Sequence, residues 1–463
     1  MNAIILISVL GILAMLSELI GLKKTIFPII VISLAAIAGY NIMNFWNNPH
    51  MHYGMLLHDN FSVAFGSLLI LITLFWFLLS RNSYAQNEFN EGDHYALILF
   101  STVGGLMLVS FANMSMLFLG VEILSIPLYI LAGSRKKDMN SVEASIKYFI
   151  LGSFATGVML LGIALIYGAT GSFDFETIAA FTGKMSSHAT LFYTGILLLS
   201  IAFAFKVSAV PFHFWVPDVY SGAPTFITAF MSTFVKVAAF GAFYRMLNLI
   251  FADGIPSYLS TVFIILSGLT ILVGNIAASY QSNVKRMLAF SGVSQAGYML
   301  MVFPNVEFDS VSSLYVYLTG YAIANLIALY VVYTIEKEKG DASVDHFSGL
   351  AKTHPLLALL MAFSLISLAG IPPAAGFFGK FYLFTQALNA GNIYLVLIAV
   401  IGSLISVYYY FRTIINMYSG VELTASLNVK PTGLTSIVLV VMALLILLIG
   451  IFPEFLIQIG TNL

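Results

Sequence analysis

Four ionisable side chains lie in stretches that water cannot easily reach. Glu122 sits in LFLGVEILSIPLYIL, Lys206 in IAFAFKVSAVPFHFW, Lys236 in TAFMSTFVKVAAFGAF and Lys380 in PPAAGFFGKFYLF. A lysine at the centre of a membrane span costs roughly 2.5 to 3.5 kcal/mol to insert, so an ionisable group there is functional by default. Desolvation disfavours an ammonium group and a nearby carboxylate favours it. An amine held between those two influences can gain and lose a proton when its partner moves or its hydration changes, which is the chemistry of a proton relay. While charged it cannot ligate a hydrated cation, which argues against sodium at these positions. The bland alternative is a structural ion pair, or a head group that snorkels to the interface. That suits Lys23 or Lys147. Lys236 lies about eleven residues from either end of its apolar run, roughly 16 Å along a helix, beyond a lysine's reach.

Helix-breaking residues accompany two of the lysines. Pro211 lacks an N–H and frees the carbonyl of Val207, next to Lys206. Pro372 and Pro373 free the carbonyls of Leu368 and Ala369, and Gly376 and Gly379 loosen the turns before Lys380. Broken backbone survives in a membrane only where it is buried in protein or lines a watery cavity. Two proline-broken spans, each with one lysine, suggest an internal repeat, and paired discontinuous helices in inverted repeats mark transporters. His213, Ser208, Tyr244, Tyr321, Tyr382 and Asn325 are candidates for a polar proton path, though each also serves as an ordinary packing or interhelical hydrogen-bond residue.

The elements that must position these residues follow from composition. Of 463 residues 60% are hydrophobic and 8% charged, against roughly 25% charged in soluble domains. Apolar runs long enough to cross a bilayer recur from end to end. The chain is read as an all-α polytopic membrane protein with about fourteen spans, at 3–20, 26–45, 61–80, 95–112, 114–133, 143–168, 190–212, 225–249, 258–278, 285–303, 311–335, 356–388, 393–418 and 434–456. Phe173 to Ser187 is too polar and short to span and reads as a surface helix. The N-terminus has no positive leader region and reads as a retained first span. With that end outside, the inner loops hold fourteen basic residues and the outer side two, Lys184 and Arg245, as the positive-inside rule requires. Both termini then lie on the outer side of a plasma membrane.

Other chemistries have little support. There is no cysteine, hence no disulfide, thiolate zinc site or cysteine-ligated iron–sulfur cluster. The eight histidines are scattered, no Gly-rich nucleotide loop follows a strand, and a net charge of −1 offers no nucleic-acid surface. Any nucleotide or electron carrier belongs to a partner.

The stretches LFLGVEILSIPLYILAGSRKKD, FKVSAVPFHFWVPDVYSGAPTFITAFMSTFVKVAAF and SLAGIPPAAGFFGKFYLF resemble the antiporter-like membrane subunits of proton-pumping NADH–quinone oxidoreductase, respiratory complex I, and subunit N in particular. The resemblance covers nearly the whole chain and is most specific from 115 to 390. It implies a bundle of fourteen helices with two inverted five-helix repeats, helices four to eight and nine to thirteen, the seventh and twelfth broken. On this sequence that gives one transmembrane domain, with three N-terminal helices in 1–93, repeats in 94–250 and 258–420, and a last helix at 434–456. The family's proton-translocating residues fall on Glu122, Lys206, Lys236 and Lys380, the four reached above. The resemblance further implies a bacterial inner membrane, no cofactor in this chain, NADH, FMN, iron–sulfur clusters and quinone on partner subunits, and as neighbours subunit M and small membrane subunits. Rival expectations are a multisubunit sodium/proton antiporter subunit, which shares the fold, subunit L or M of the same complex, and a non-conducting scaffold. Subunit L should carry a long lateral helix after the last span, and the wording around Lys206 and Lys380 favours N over M.

Overall fold

A lipid environment offers no hydrogen-bond partners, so a backbone crossing it must satisfy its own polar groups, and an apolar chain does so as helices. The computed structural model describes residues 2–84, 91–182, 188–252, 254–305, 308–419 and 433–463 and is mostly helical. The chain forms α1 (Asn2–Leu16), α2 (Ile26–Phe45), strands β1 (His50–His52) and β2 (Leu56–His58), then α3 (Asn60–Tyr84), α4 (Glu91–Ser110), α5 (Met114–Ala132), α6 (Met139–Thr170), α7 (Phe175–Ala179) and α8 (Ala189–Lys206). It continues through α9 (Trp215–Gly222), α10 (Thr225–Phe230), a π turn at Met231–Val235, α11 (Lys236–Ile250), α12 (Ser257–Ser279), α13 (Val284–Leu300) and α14 (Phe308–Lys339). After α15 (Leu350–Thr353) come α16 (Pro355–Ala369), α17 (Ala375–Asn389), α18 (Ile393–Ser419), α19 (Gly433–Ile451) and α20 (Glu454–Gly460). Among the described residues eleven helices are long and apolar enough to cross a membrane, with shorter apolar ones at Ala3–Leu16 and Pro355–Ala369. Helices occupy each of the fourteen expected spans.

Local chemistry sets the ends. Asn113, Asp138 and Asn283 cap α5, α6 and α13 by accepting from the backbone N–H of Ser115, Asn140 and Arg286. The seventh span, expected at 190–212 and broken at Pro211, is broken there: the helix stops at Lys206 and a second half, α9, starts at Trp215, because Pro211 cannot extend the ladder while Pro217 fits a first helical turn. The loop after α2, read without strands, is a small hairpin pairing His50 with His58 and His52 with Leu56. Of the three residues that join the strands, Tyr53 and Gly54 have φ of 54° and 66°, the sign that the central residues of such a hairpin turn take, and Met55 N–H closes the turn on His52 O. The surface helix expected at 173–187 is shorter, Phe175–Ala179. Its residues 183–187, with Lys184, and Lys430 lie outside the described residues.

By internal packing the chain divides into two units. Unit 1 comprises Met1–Val207 and Phe234–Pro256 with Leu463, and unit 2 comprises Ser208–Thr233 and Ser257–Asn462. In unit 1, α4 packs on α5 and α6 on α8. Phe203 and Phe243 stack with centroids 4.9 Å apart. Gly152 on α6 leaves the space that the Tyr129 ring of α5 fills, since a Cβ there would stand 2.2 Å from the Tyr129 hydroxyl. In unit 2, α12 packs on α13, and α14 on α16 and α17.

Candidate functional site

The unit 1 site begins on α5. Glu122, Ser125 and Tyr129 are three and seven residues apart and therefore share one helix face. Lys206 ends α8 and is 6% exposed. Its Nζ donates to Ser125 Oγ at 2.9 Å, and Ser125 Oγ donates to the carbonyl of Val121 at 2.6 Å. The ammonium stands 5.9 Å from the centroid of the Tyr129 ring, within cation–π range. Glu122 interacts electrostatically with both Lys206 and Tyr129. It is half-buried, and Leu119, Ile126 and Ile130 of the same helix are exposed.

Lys236 opens α11, is 2% exposed and follows directly on the π turn. Such single turns widen the helix and concentrate at functional sites. Within unit 2 the turn has partners: the Tyr220 hydroxyl donates to Met231 O at 3.3 Å and the Tyr321 hydroxyl to Ser232 O at 2.9 Å. Asn325 Nδ2 joins Ser232 Oγ at 3.0 Å and the Tyr321 hydroxyl at 3.2 Å. Two residues named from sequence, Tyr321 and Asn325, thus meet at a feature that sequence reasoning missed.

The second break lies wholly in unit 2. α16 ends at Ala369 and α17 starts at Ala375, with Lys380 buried on its second turn. Lys380 Nζ donates to Ala369 O at 2.8 Å and to Ser403 Oγ at 3.0 Å. Gln295 Nε2 donates to Leu368 O at 3.0 Å. Both carbonyls that Pro372 and Pro373 release are therefore occupied, one by the amine and one by an amide. The ammonium also lies 4.6 Å from the Tyr298 ring centroid. Gln295 is in turn bonded by the hydroxyls of Tyr317 and Tyr410, and Tyr410 by Ser291. Gly370 at φ 84° is needed twice, since L side chains resist that conformation and a Cβ would stand 2.7 Å from Lys380 Cδ.

The remaining candidates have aromatic surroundings or lie in the first break. His213 is buried beside Phe214. Tyr244 is buried in unit 1 against Phe61. Ser208 is buried at φ 66° within the first break. Tyr382 packs on Phe378 and Phe381, and the ring beside Lys380 belongs to Tyr298 instead. Two basic residues read as non-buried, Arg245 near a span end and Lys285 in an inner loop, are corrected. Arg245 is buried and pairs with Asp59 at 3.0 Å, donating also to Phe111 O at 2.9 Å. Lys285 is buried and donates to Ala223 O at 2.7 Å. Each stands near a helix end, where depth is illegible from the string. One leaves each side of the charge count, so its direction survives. Among the described residues no group of three or more His, Asp or Glu could hold a metal ion.

Buried amines at two helix breaks, in a bundle of membrane-length helices, define a polytopic membrane protein of the antiporter-like class. The family model for the transmembrane part of NADH:quinone oxidoreductase and Mrp antiporters matches residues 112–406. NADH-quinone oxidoreductase subunit N of Cytophaga hutchinsonii is 74% identical over 463 residues, all of both chains. A chain of respiratory complex I from Thermus thermophilus, solved with bound aureothin, superposes with a TM-score of 0.82 at 28% identity, covering 98% of each chain. A chain of the Mrp complex from Dietzia superposes with a TM-score of 0.86 over 99% of this chain and 96% of that one, but at 22% identity the likeness is one of fold alone. The chain belongs to the subunit N family of NADH-quinone oxidoreductase, within that broader antiporter-like family.

Proposed function

We propose that the chain translocates protons as subunit N of a bacterial inner-membrane NADH–quinone oxidoreductase, using Glu122, Lys206, Lys236 and Lys380. NADH, FMN, iron–sulfur clusters and quinone are bound by other subunits, and the membrane neighbours include subunit M and small membrane subunits. The observation that carries the reading is the pair of breaks, each with a buried lysine whose amine is held by groups that can let it go. In unit 1, Ser125 and the charge of Glu122 hold the Lys206 ammonium. When Glu122 is withdrawn or neutralised, desolvation favours release of the proton. In unit 2, Ala369 O and Ser403 Oγ hold Lys380, with no contacting carboxylate among the described residues, so its charge rests on dipoles and a ring face. Lys236 is the station between Lys206 and Lys380 in the order of transfer. Electron flow in partner subunits drives the switching at a distance.

The test is gentle-detergent purification of the tagged chain, with partner identification and an NADH–quinone assay. Copurification with an oxidoreductase that pumps in resealed vesicles supports the reading. Copurification with antiporter subunits and no NADH oxidation would replace it with sodium/proton exchange. Both termini are placed on the outer side, so a reporter that matures only in the cytoplasm, fused after Leu463, should stay dark. A bright folded fusion would contradict that placement.

A further inference from the structure

Lys285 is a fourth buried lysine, and the route above does not use it. It is the second residue of α13, only 3% exposed. A cation is unfavourable in the first turn of its own helix and favourable at the C-terminal carbonyls of another. Lys285 resolves this by reaching to α9: its Nζ bonds the carbonyl of Ala223, the C-cap of that half-helix. It also stands 3.5 Å from Oε2 of Glu336, near the end of α14, whose side chain is 15% exposed. The same Oε2 accepts from the hydroxyl of Thr225, the first residue of α10. Next to Lys285, Arg286 pairs with Asp218 of α9 at 3.1 Å. Residues 218–225 are thus fastened to α13 and α14 by polar contacts at both ends of the link, and all these residues belong to unit 2.

This link joins two parts of the proposed machinery. Before it runs α9, the half-helix that follows the Lys206 break, and after it runs the helix that carries the π turn and Lys236. Pro224 in its middle has no N–H to donate, so side chains must hold the turn. A buried ion pair is poor at adding stability compared with apolar packing, and its best-attested use is to fix one register. We propose that Lys285 and Glu336 are positioning residues for proton translocation: together they lock residues 223–225, and so fix α9 and the start of the Lys236 helix during turnover. The inference rests on the proton-translocating reading of Lys206 and Lys236.

The chain contains no cysteine, so a Ser221→Cys substitution on α9 gives it a single thiol that reports on the link. In the assembled complex, maleimide labelling at that thiol should rise about tenfold with Lys285→Met or Glu336→Gln, as when a buried restraint is broken. Lys285→Arg, which keeps the charge and the donors, should hold labelling near the parent rate. Proton pumping in resealed vesicles, normalised to assembled complex, should fall in the two neutral variants and recover in Lys285→Arg. Unchanged labelling with lost pumping would overturn the proposal and make the pair proton carriers. Raised labelling with normal pumping per assembled complex would also overturn it, leaving a purely structural clamp. Should a neutral variant fail to assemble, the double variant Lys285→Met with Glu336→Leu, which removes both charges of the pair together, carries the same two readouts. Labelling is read without pumping, so a failure of the proton route, seen as normal pumping without Lys206 or Lys236, is distinguishable from a failure of the clamp.

Discussion

The breaks at Lys206 and Lys380 solve the same problem with opposite chain orders. Lys206 is the last residue of its half-helix and precedes the break, whereas Lys380 lies six residues into its half-helix and follows the break. The first amine is held by a side-chain hydroxyl with a carboxylate acting on it. The second is held by a backbone carbonyl that the break itself exposes, by a hydroxyl and by a ring face. The difference teaches where each charge gets its support. Lys206 has a carboxylate acting on it from another helix, and on the proposed mechanism it would be switched by moving or neutralising Glu122. Lys380 is held by the break itself, and on the proposed mechanism it would switch through a change in the shape or hydration of that break.

The largest effect should come from deforming the second break. Gly370→Val forces a β-branched residue into a left-handed conformation, at about 1–3 kcal/mol for the backbone alone, and drives Cβ into Lys380. Loss of assembled complex or of nearly all turnover is expected, scored by native gel and NADH–quinone assay. Wild-type levels of both would show that Lys380 does not need this break.

Next in size is the carboxylate. Glu122→Gln should leave assembly intact and reduce pumping by about tenfold, the order of one lost charge-assisted interaction. Normal pumping in that variant would make the Glu122–Lys206 pair structural or redundant, and the two breaks would then differ only in geometry.

The smallest effects separate the hydroxyls. Ser125→Ala removes the one hydrogen-bond acceptor of the Lys206 amine among the described residues, while Ser403→Ala leaves Ala369 O in place. A single neutral partner is worth about 0.5–1.5 kcal/mol, so a several-fold loss of turnover is expected for the first and less than about twofold for the second. Equal losses would erase the proposed difference between the sites.

The distribution of these features explains what the sequence disclosed. Spans were legible because lipid demands long apolar runs, and the breaks because proline cannot hide its missing donor. Glu122, Lys206, Lys236 and Lys380 stood out because each lies deep in an apolar run. Ser125 and Tyr129 were legible in principle, three and seven residues from Glu122, but serine and tyrosine are common in spans and carry no charge to flag them. The π turn before Lys236 has no proline or glycine to mark it, since its carbonyls are taken by Tyr220 and Tyr321 from far along the chain. Gln295 and Ser403 became visible only when the fold brought them to Leu368 O and Lys380. Lys285 and Arg245 look like loop charges because helix ends and loops read alike, and only their partners Glu336 and Asp59 show them to be buried.

The central claim is that the buried lysines carry protons and that electron transfer waits on them. Lys380→Met removes the titrating amine and keeps an aliphatic stem of similar length, so the complex should assemble as the parent does. Proton pumping in resealed vesicles and NADH–quinone turnover, both normalised to assembled complex, should fall together, and Lys380→Arg, permanently charged, should not restore them fully. Full pumping and full turnover in the Met variant would contradict the account and put the route elsewhere.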